Sequence, residues 1–528
     1  MTTPSGYLAL VLHAHLPFVR HPEHGDFLEE RWLFEALTES YLPLLAALET
    51  LARDRVPARI AISISPPLLN MLADPLLQSR YLRHLERSFA FADSEFERSA
   101  DDPTLRDVVH LHRDLLRRAR RQFVETYDRN PIPAFRRLQD EGRIEILACA
   151  ATHGFLPLLR AQPNAVRAQI RIGVAEYERF FGRKPLGIWL PECGYYPGLD
   201  EILAQHGIRY FITETDALLH ASPRAILGPW APVLTPSGVA AFARDPETSR
   251  QVWSAEEGYP GDQDYRDFHR DAGFDLELDA LRHLMPDSRT RAPTGFKYHR
   301  ITGATAVKQL YDPARAAAKV DSHAANFVGG RETQITSLRR ALGRPPIVTA
   351  PYDAELFGHW WFEGPRWLET VLRKAAYDQH AFETITPGEF LRLHPVLQEA
   401  IPAASSWGQD GDNSVWLSGE NDWIYLHLQA GAERLQRLVA LHPDATGTTL
   451  RALNQAAREL LLAQASDWAF IMFRGTVVDY AVKRTRDHLS RLQRIDADLR
   501  AGTVDEDWLT DVESRDNIFP AIDYRVFA

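Results

Sequence analysis

Glu192 stands in the stretch LGIWLPECGYYPGLDEIL, where an apolar run ends at Leu190 and a proline separates it from the carboxylate. Asp353 has a similar setting in PPIVTAPYDAELFGHWWFEGPRWLE. Two carboxylates that close buried apolar runs are suited to glycoside chemistry, in which one attacks the anomeric carbon and the other acts as acid, then base. Imidazoles follow the same pattern. His13 and His15 close YLALVLHAH, and two residues apart on a strand they share a face. His153 follows the run RIEILACAAT, Glu214 and Asp216 close another run, and Glu355 stands at the end of the same run as Asp353. The histidines suit sugar hydroxyls, and Trp253, Tyr259, Trp360, Trp361, Trp407 and Trp416 suit stacking on sugar rings.

Each of these residues also has an ordinary reading. Glu192 fits an ion-paired loop carboxylate, Asp353 fits a cap on the helix after its strand, and most tryptophans belong in cores by default. A sharper rival is a zinc hydrolase such as a polysaccharide deacetylase, with HAH, a third histidine and an aspartate as ligands around one open position. Neither an HExxH motif nor paired cysteine ligands accompany that set, and the rival leaves the aromatic loops without a role.

The elements that must position these groups alternate. Apolar runs at Tyr7–His15, Ala58–Ser65, RIEILAC, LGIWLPE, IRYFITETD and Ile347–Ala350 are separated by stretches of helical periodicity, which is the rhythm of βαβ units. In a parallel β/α barrel all strands end on one rim, so groups scattered along the chain converge there. Residues 75–130 interrupt the rhythm with charged helices, and Asp102–Pro103 forms an N-cap and first helical residue. A segment rich in Gly, Pro and Asp from Leu218 to Asp321 reads as irregular. Helical periodicity dominates beyond Asn421. The expected division is therefore a catalytic barrel over 1–420, including the 75–130 insertion, and a helical domain over 421–528.

Composition narrows the function classes. The 528 residues are 45% hydrophobic and 25% charged, the profile of a soluble enzyme. A net charge of −11 argues against a nucleic-acid partner. Cys149 and Cys193 are the two cysteines, so no disulfide framework is expected and a cytoplasmic location fits. No stretch approaches the roughly 18 apolar residues of a membrane span, and a monomer or small homo-oligomer is the expected state.

The blocks LVLHAHLPFVRHPE, ATHGFLPLL, GIWLPECGYYP, YFITETDA and APYDAELFGHWWFEGPRWLE resemble those of glycoside hydrolase family 57. SSWGQDGDNSVWL and LLLAQASDWAFIM resemble the C-terminal part of that family's 1,4-α-glucan branching enzymes. The resemblance is collinear over nearly the whole chain. It implies a distorted (β/α)7 barrel with a helical insertion and a C-terminal helical domain, and a retaining mechanism on α-glucan with neither cofactor nor metal. It puts the nucleophile on Glu192, the general acid/base on Asp353 and substrate contacts on His13, His15 and His153. It also puts stacking tryptophans on Trp253, Trp407 and Trp416, and a C-terminal-domain tryptophan on Trp468. One departure favours the α-amylase-like members. The segment after YFITETDA is short and has no tyrosine between Tyr210 and Tyr259, where branching members carry one on a covering loop.

Overall fold

The computed structural model describes residues 4–254, 257–284 and 291–528. Ten strands occur among them: β1 (Gly6–Ala14), β2 (Ile60–Ile64), β3 (Ile144–Cys149), β4 (Gly187–Trp189), β5 (Tyr210–Thr213), β6 (Val233–Leu234), β7 (Ala240–Ala243), β8 (Ile347–Asp353), β9 (Phe382–Thr384) and β10 (Gln398–Glu399). Seven of them pair in parallel in the order β7-β5-β4-β3-β2-β1-β8. All nine residues of β1 are buried, because helices cover one face of the sheet and its own curl encloses the other. The curled sheet closes where the Asp245 N–H, just past β7, donates to the Thr349 carbonyl of β8 at 2.8 Å. The result is a distorted seven-stranded barrel, as the resemblance to family 57 implies.

Six of the seven barrel strands coincide with the apolar runs. The seventh, β7, lies inside the segment read as irregular, and that reading is corrected. VAAFA is a short run of mostly small side chains, at most 1% exposed, and the antiparallel β6 and then β10 continue the sheet beyond it. The same segment also holds the start of a 30-residue helix, Pro313–Leu342, capped by Asp312. The insertion is two long helices, Pro75–Arg98 and Pro103–Arg121. Asp102 caps the second by accepting from the Leu105 N–H at 3.0 Å. Beyond residue 421 the described chain contains helices and no strand, from Trp423–Leu441 to Glu506–Arg515. No described helix is long and apolar enough to cross a membrane.

Candidate active site

Parallel register brings the first pair of site residues together. His13 of β1 lies opposite Asp353 of β8 on one side and Ser63 of β2 on the other. Around these strand ends a cavity of about 520 Å³ opens, and His13, His15, His153, Glu192 and Asp353 all line it. Five positions spread over 340 residues of sequence are thus brought into one cleft by a single rim.

Glu192 is not on a strand. β4 ends at Trp189, because Pro191 has no N–H for the ladder. Glu192 then takes a left-handed conformation at φ 60° and ψ 24°, and Cys193 follows at φ 51°. For non-glycine residues this costs about 1–3 kcal/mol each, and it persists only where the surroundings impose it. Here the Trp407 N–H donates to the Glu192 carbonyl at 3.0 Å. The carboxylate is held on both oxygens, by Trp407 Nε1 at 2.8 Å and Ser466 Oγ at 2.9 Å. Burial pushes the Glu192 pKa up, and those two hydrogen bonds work against burial.

Asp353, the last residue of β8, has no hydrogen-bond or ion-pair partner among the described residues. Burial pushes its pKa well above the usual carboxylate range, the charges of Glu355 and Glu192 add to the rise, and Arg244 opposes it. One carboxyl with a donor on each oxygen, and one without a partner whose pKa is pushed well above the usual range, is the division of roles that acid–base chemistry requires.

Glu355, two residues on, accepts from the His15 N–H at 3.0 Å and from the Tyr41 hydroxyl. Tyr41 ends a π-helical turn, Leu37–Tyr41, that breaks the register of its helix and aims the phenol at the cleft. Glu214 lies behind the cleft and pairs with Arg244 at 2.8 Å, while Asp216 is exposed and lines nothing there.

The three imidazoles form a stack. His13 lies flat on Trp189, with ring centres 4.5 Å apart, and shares a 2.9 Å hydrogen bond with His153. His153 also bonds Ser466 Oγ at 2.8 Å, which ties it to Glu192. Burial first, and neighbouring imidazoles second, hold His13 and His153 well below the usual histidine range, so both stay neutral. Burial also acts on His15, but the charge and hydrogen bond of Asp467, with Glu192 and Glu355 nearby, reverse its effect and raise the pKa. His15 meets Asp467 at 3.0 Å and Ser65 at 2.8 Å. The ligand atoms of His15, His153 and Asp467 lie within 4.8 Å of one another, as do those of His13, Cys149 and His153. In the first set His15 is already bonded to Asp467, and in the second His13 is bonded to His153.

Of the expected aromatic contacts, Trp253, Trp360 and Trp407 line the cleft. The others lie elsewhere. Trp416 is 1% exposed and stacks on Phe155, with ring centres 4.4 Å apart. Trp468 is fully buried and donates Nε1 to the Leu462 carbonyl. The Tyr259 hydroxyl bonds Asn326, and its ring lies on His323. Trp361 is also in the core. These positions carry no sugar platform, since their faces are covered by protein. Sequence reasoning missed Trp32, Glu35, Ser466, Asp467 and Phe470. The helical spacing of Trp32 and Glu35 in RWLFEAL, and the polar residues of SDWAF that open a helix, are the available signals. No residue of 218–239 lines the cleft.

Residues 9–402 match Glycosyl hydrolase family 57. The chain belongs to that family. Residues 427–527 match a second family, 1,4-alpha-glucan branching enzyme, C-terminal. A 1,4-alpha-glucan branching enzyme of Thermococcus kodakarensis is 35% identical over 97% of this chain and 77% of its own length. A GH57-type branching enzyme structure from Pyrococcus horikoshii is 35% identical, with a TM-score of 0.89 over 99% of this chain and 97% of that one. A structure described as a novel alpha-amylase of Thermotoga maritima is 42% identical, with a TM-score of 0.92 over 99% of both. Family 57 thus accounts for the barrel, and its relatives carry two activity names.

Proposed function

We propose that this family 57 enzyme is a 1,4-α-glucan branching enzyme. The observation that carries the reading is the pair Glu192 and Asp353, one hydrogen-bonded on both oxygens and the other without a partner and with its pKa pushed well above the usual range, facing one cleft lined by Trp253, Trp360 and Trp407. Glu192 attacks the anomeric carbon of a glucosyl unit as the bond to O4 breaks. Asp353 gives its proton to O4, and the reducing-end portion leaves. The C6 hydroxyl of a second chain then attacks the same carbon. Asp353 takes that hydroxyl's proton, and the ester bond to Glu192 breaks to restore the carboxylate. Two displacements retain the α configuration. His13, His15 and His153 bind hydroxyls of the bound unit, with His13 and His153 neutral. Residues 1–420 act as the catalytic unit, and 421–528 contribute Ser466, Asp467 and Phe470 to its cleft. The enzyme acts in the cytoplasm as a monomer or small homo-oligomer.

A second reading, hydrolysis of α-1,4-glucan, is favoured by one observation: no residue of the short 218–239 segment lines the cleft, so the ester is less shielded from water. Incubation with amylose separates the two. Branching builds α-1,6 linkages, read by NMR, with little net rise in reducing ends. Reducing ends that rise at least as fast as α-1,6 linkages would overturn branching in favour of hydrolysis.

A further inference from the structure

Among the described residues, five carboxyls line the cleft: Glu35, Glu192, Asp353, Glu355 and Asp467. Three of them are held by protein: Glu192 by Trp407 and Ser466, Glu355 by His15 and Tyr41, and Asp467 by His15. Two have no hydrogen-bond or ion-pair partner among the described residues. One is Asp353, to which the reaction gives a role. The other is Glu35, to which it gives none. Glu35 is half-buried and lines both the cleft and a second cavity of about 390 Å³. A carboxyl turned toward substrate space without a protein partner is an unused acceptor of hydrogen bonds.

Its place in the fold says which sugar it meets. Glu35 lies one turn before Glu39 on the helix that starts at Arg31. Glu39 bonds His359 Nδ1 at 2.8 Å, and its carbonyl packs so closely on Gly358 that a side chain there would clash. The Trp360 N–H donates to the Glu355 carbonyl at 3.2 Å. Glu35 therefore sits over the loop that leaves Asp353. Asp353 protonates the leaving oxygen and later deprotonates the incoming hydroxyl, so the acceptor occupies the position the leaving chain vacates. Trp32 and Trp360 flank that side, and Trp360 is 42% exposed at the mouth.

We propose that Glu35 is an acceptor-side binding residue, whose carboxylate accepts a hydrogen bond from a hydroxyl of the incoming glucan chain and so favours transfer over attack by water. The inference rests on the branching reading and deepens it. A chain held beside the ester competes with water by proximity. Burial pushes Glu35 up to about 7, with Glu39 and Asp271 adding and His359 and Lys297 opposing, so its charge changes near neutral pH.

The experiment compares wild type with Glu35→Gln on amylose, reading α-1,6 linkages and reducing ends together. Branching should fall in Glu35→Gln by about tenfold or more, the loss of one charge-assisted hydrogen bond, with a much smaller fall in reducing-end release. The wild-type ratio of branching to hydrolysis should rise between roughly pH 6 and pH 8 as Glu35 ionises, while the variant's ratio stays flat. Glu35→Asp should recover part of the ratio. A wild type that forms α-1,6 linkages at a ratio independent of pH, or a Glu35→Gln variant that keeps the wild-type ratio, overturns the inference alone. A wild type that forms no α-1,6 linkages overturns the branching reading, and the inference with it. The wild-type pH series stands whether or not the variant folds.

Discussion

Ser466→Ala tests whether hydrogen bonding favours the ionised form of Glu192, the proposed nucleophile. The Ser466 hydroxyl donates to Glu192 Oε1 at 2.9 Å, one of two side-chain donors to that carboxylate among the described residues. A hydrogen bond to a charged group contributes about 1.5–3 kcal/mol. That contribution favours the charged form, so removing the donor should raise the Glu192 pKa further. The direction follows from the chemistry. The bond favours the carboxylate, the carboxylate is the attacking form, and its loss moves the acidic limb of kcat/KM to higher pH. On the plateau above that limb Glu192 is ionised in both proteins and one fewer donor competes for its lone pairs, so the rate there should change much less. The assay is initial cleavage of a maltooligosaccharide across the acidic range, with wild type and variant side by side. Trp407→Phe removes the donor on the other oxygen and should shift the limb the same way, with an added loss from the packing of Trp407 on Trp189. An unmoved limb with a uniform loss of rate at every pH would refute this account and leave Ser466 as the support of His153 alone.

Glu192→Gln should abolish turnover while leaving the thermal midpoint near that of the wild type, because the amide keeps the volume but cannot form the ester; near-normal turnover would displace Glu192 from its role. Asp353→Asn should lose about 10²–10⁴ of its rate on amylose and far less on a glucoside whose leaving group needs no proton, whereas equal losses on both would make Asp353 structural. Trp416→Ala should cost about 3–5 kcal/mol of stability without raising KM for glucan at a temperature where it is folded, since the ring packs on Phe155; a raised KM with unchanged stability would return Trp416 to the substrate. His112 is buried and pushed down to about 4, so between that value and about 6.5 the unfolded chain binds the extra proton, and stability should fall by about 3 kcal/mol as pH drops through that window. Urea midpoints of wild type and His112→Asn at pH 7 and pH 4.5 check this, and an equal drop in both would assign it elsewhere.

What was legible in the sequence divides by the kind of signal each residue left. Glu192, Asp353, His13, His15 and His153 could be read because strand ends leave a pattern: an apolar run, then a polar group, then a turn. That pattern cannot say what a side chain meets across the cleft. Ser466 and Asp467 come from a helix more than 270 residues beyond Glu192, and their contacts with Glu192 and His15 are set by how the C-terminal helices pack. The tryptophans show the opposite limit. Trp407 and Trp416 lie nine residues apart in one loop-like block, and nothing in their composition separates the ring that donates to the nucleophile from the ring sealed against Phe155. β7 was passed over because alanines carry little hydrophobic signal, although a crowded barrel wall needs small side chains there. Glu35 was invisible for a further reason. A glutamate on a helical face is ordinarily solvated, and only its position over the Asp353 loop, with no partner of its own, marks it as a group left free for substrate. The residues that hold Glu192, and the one proposed to favour sugar over water, are thus contributed by elements other than the strands that made the site readable.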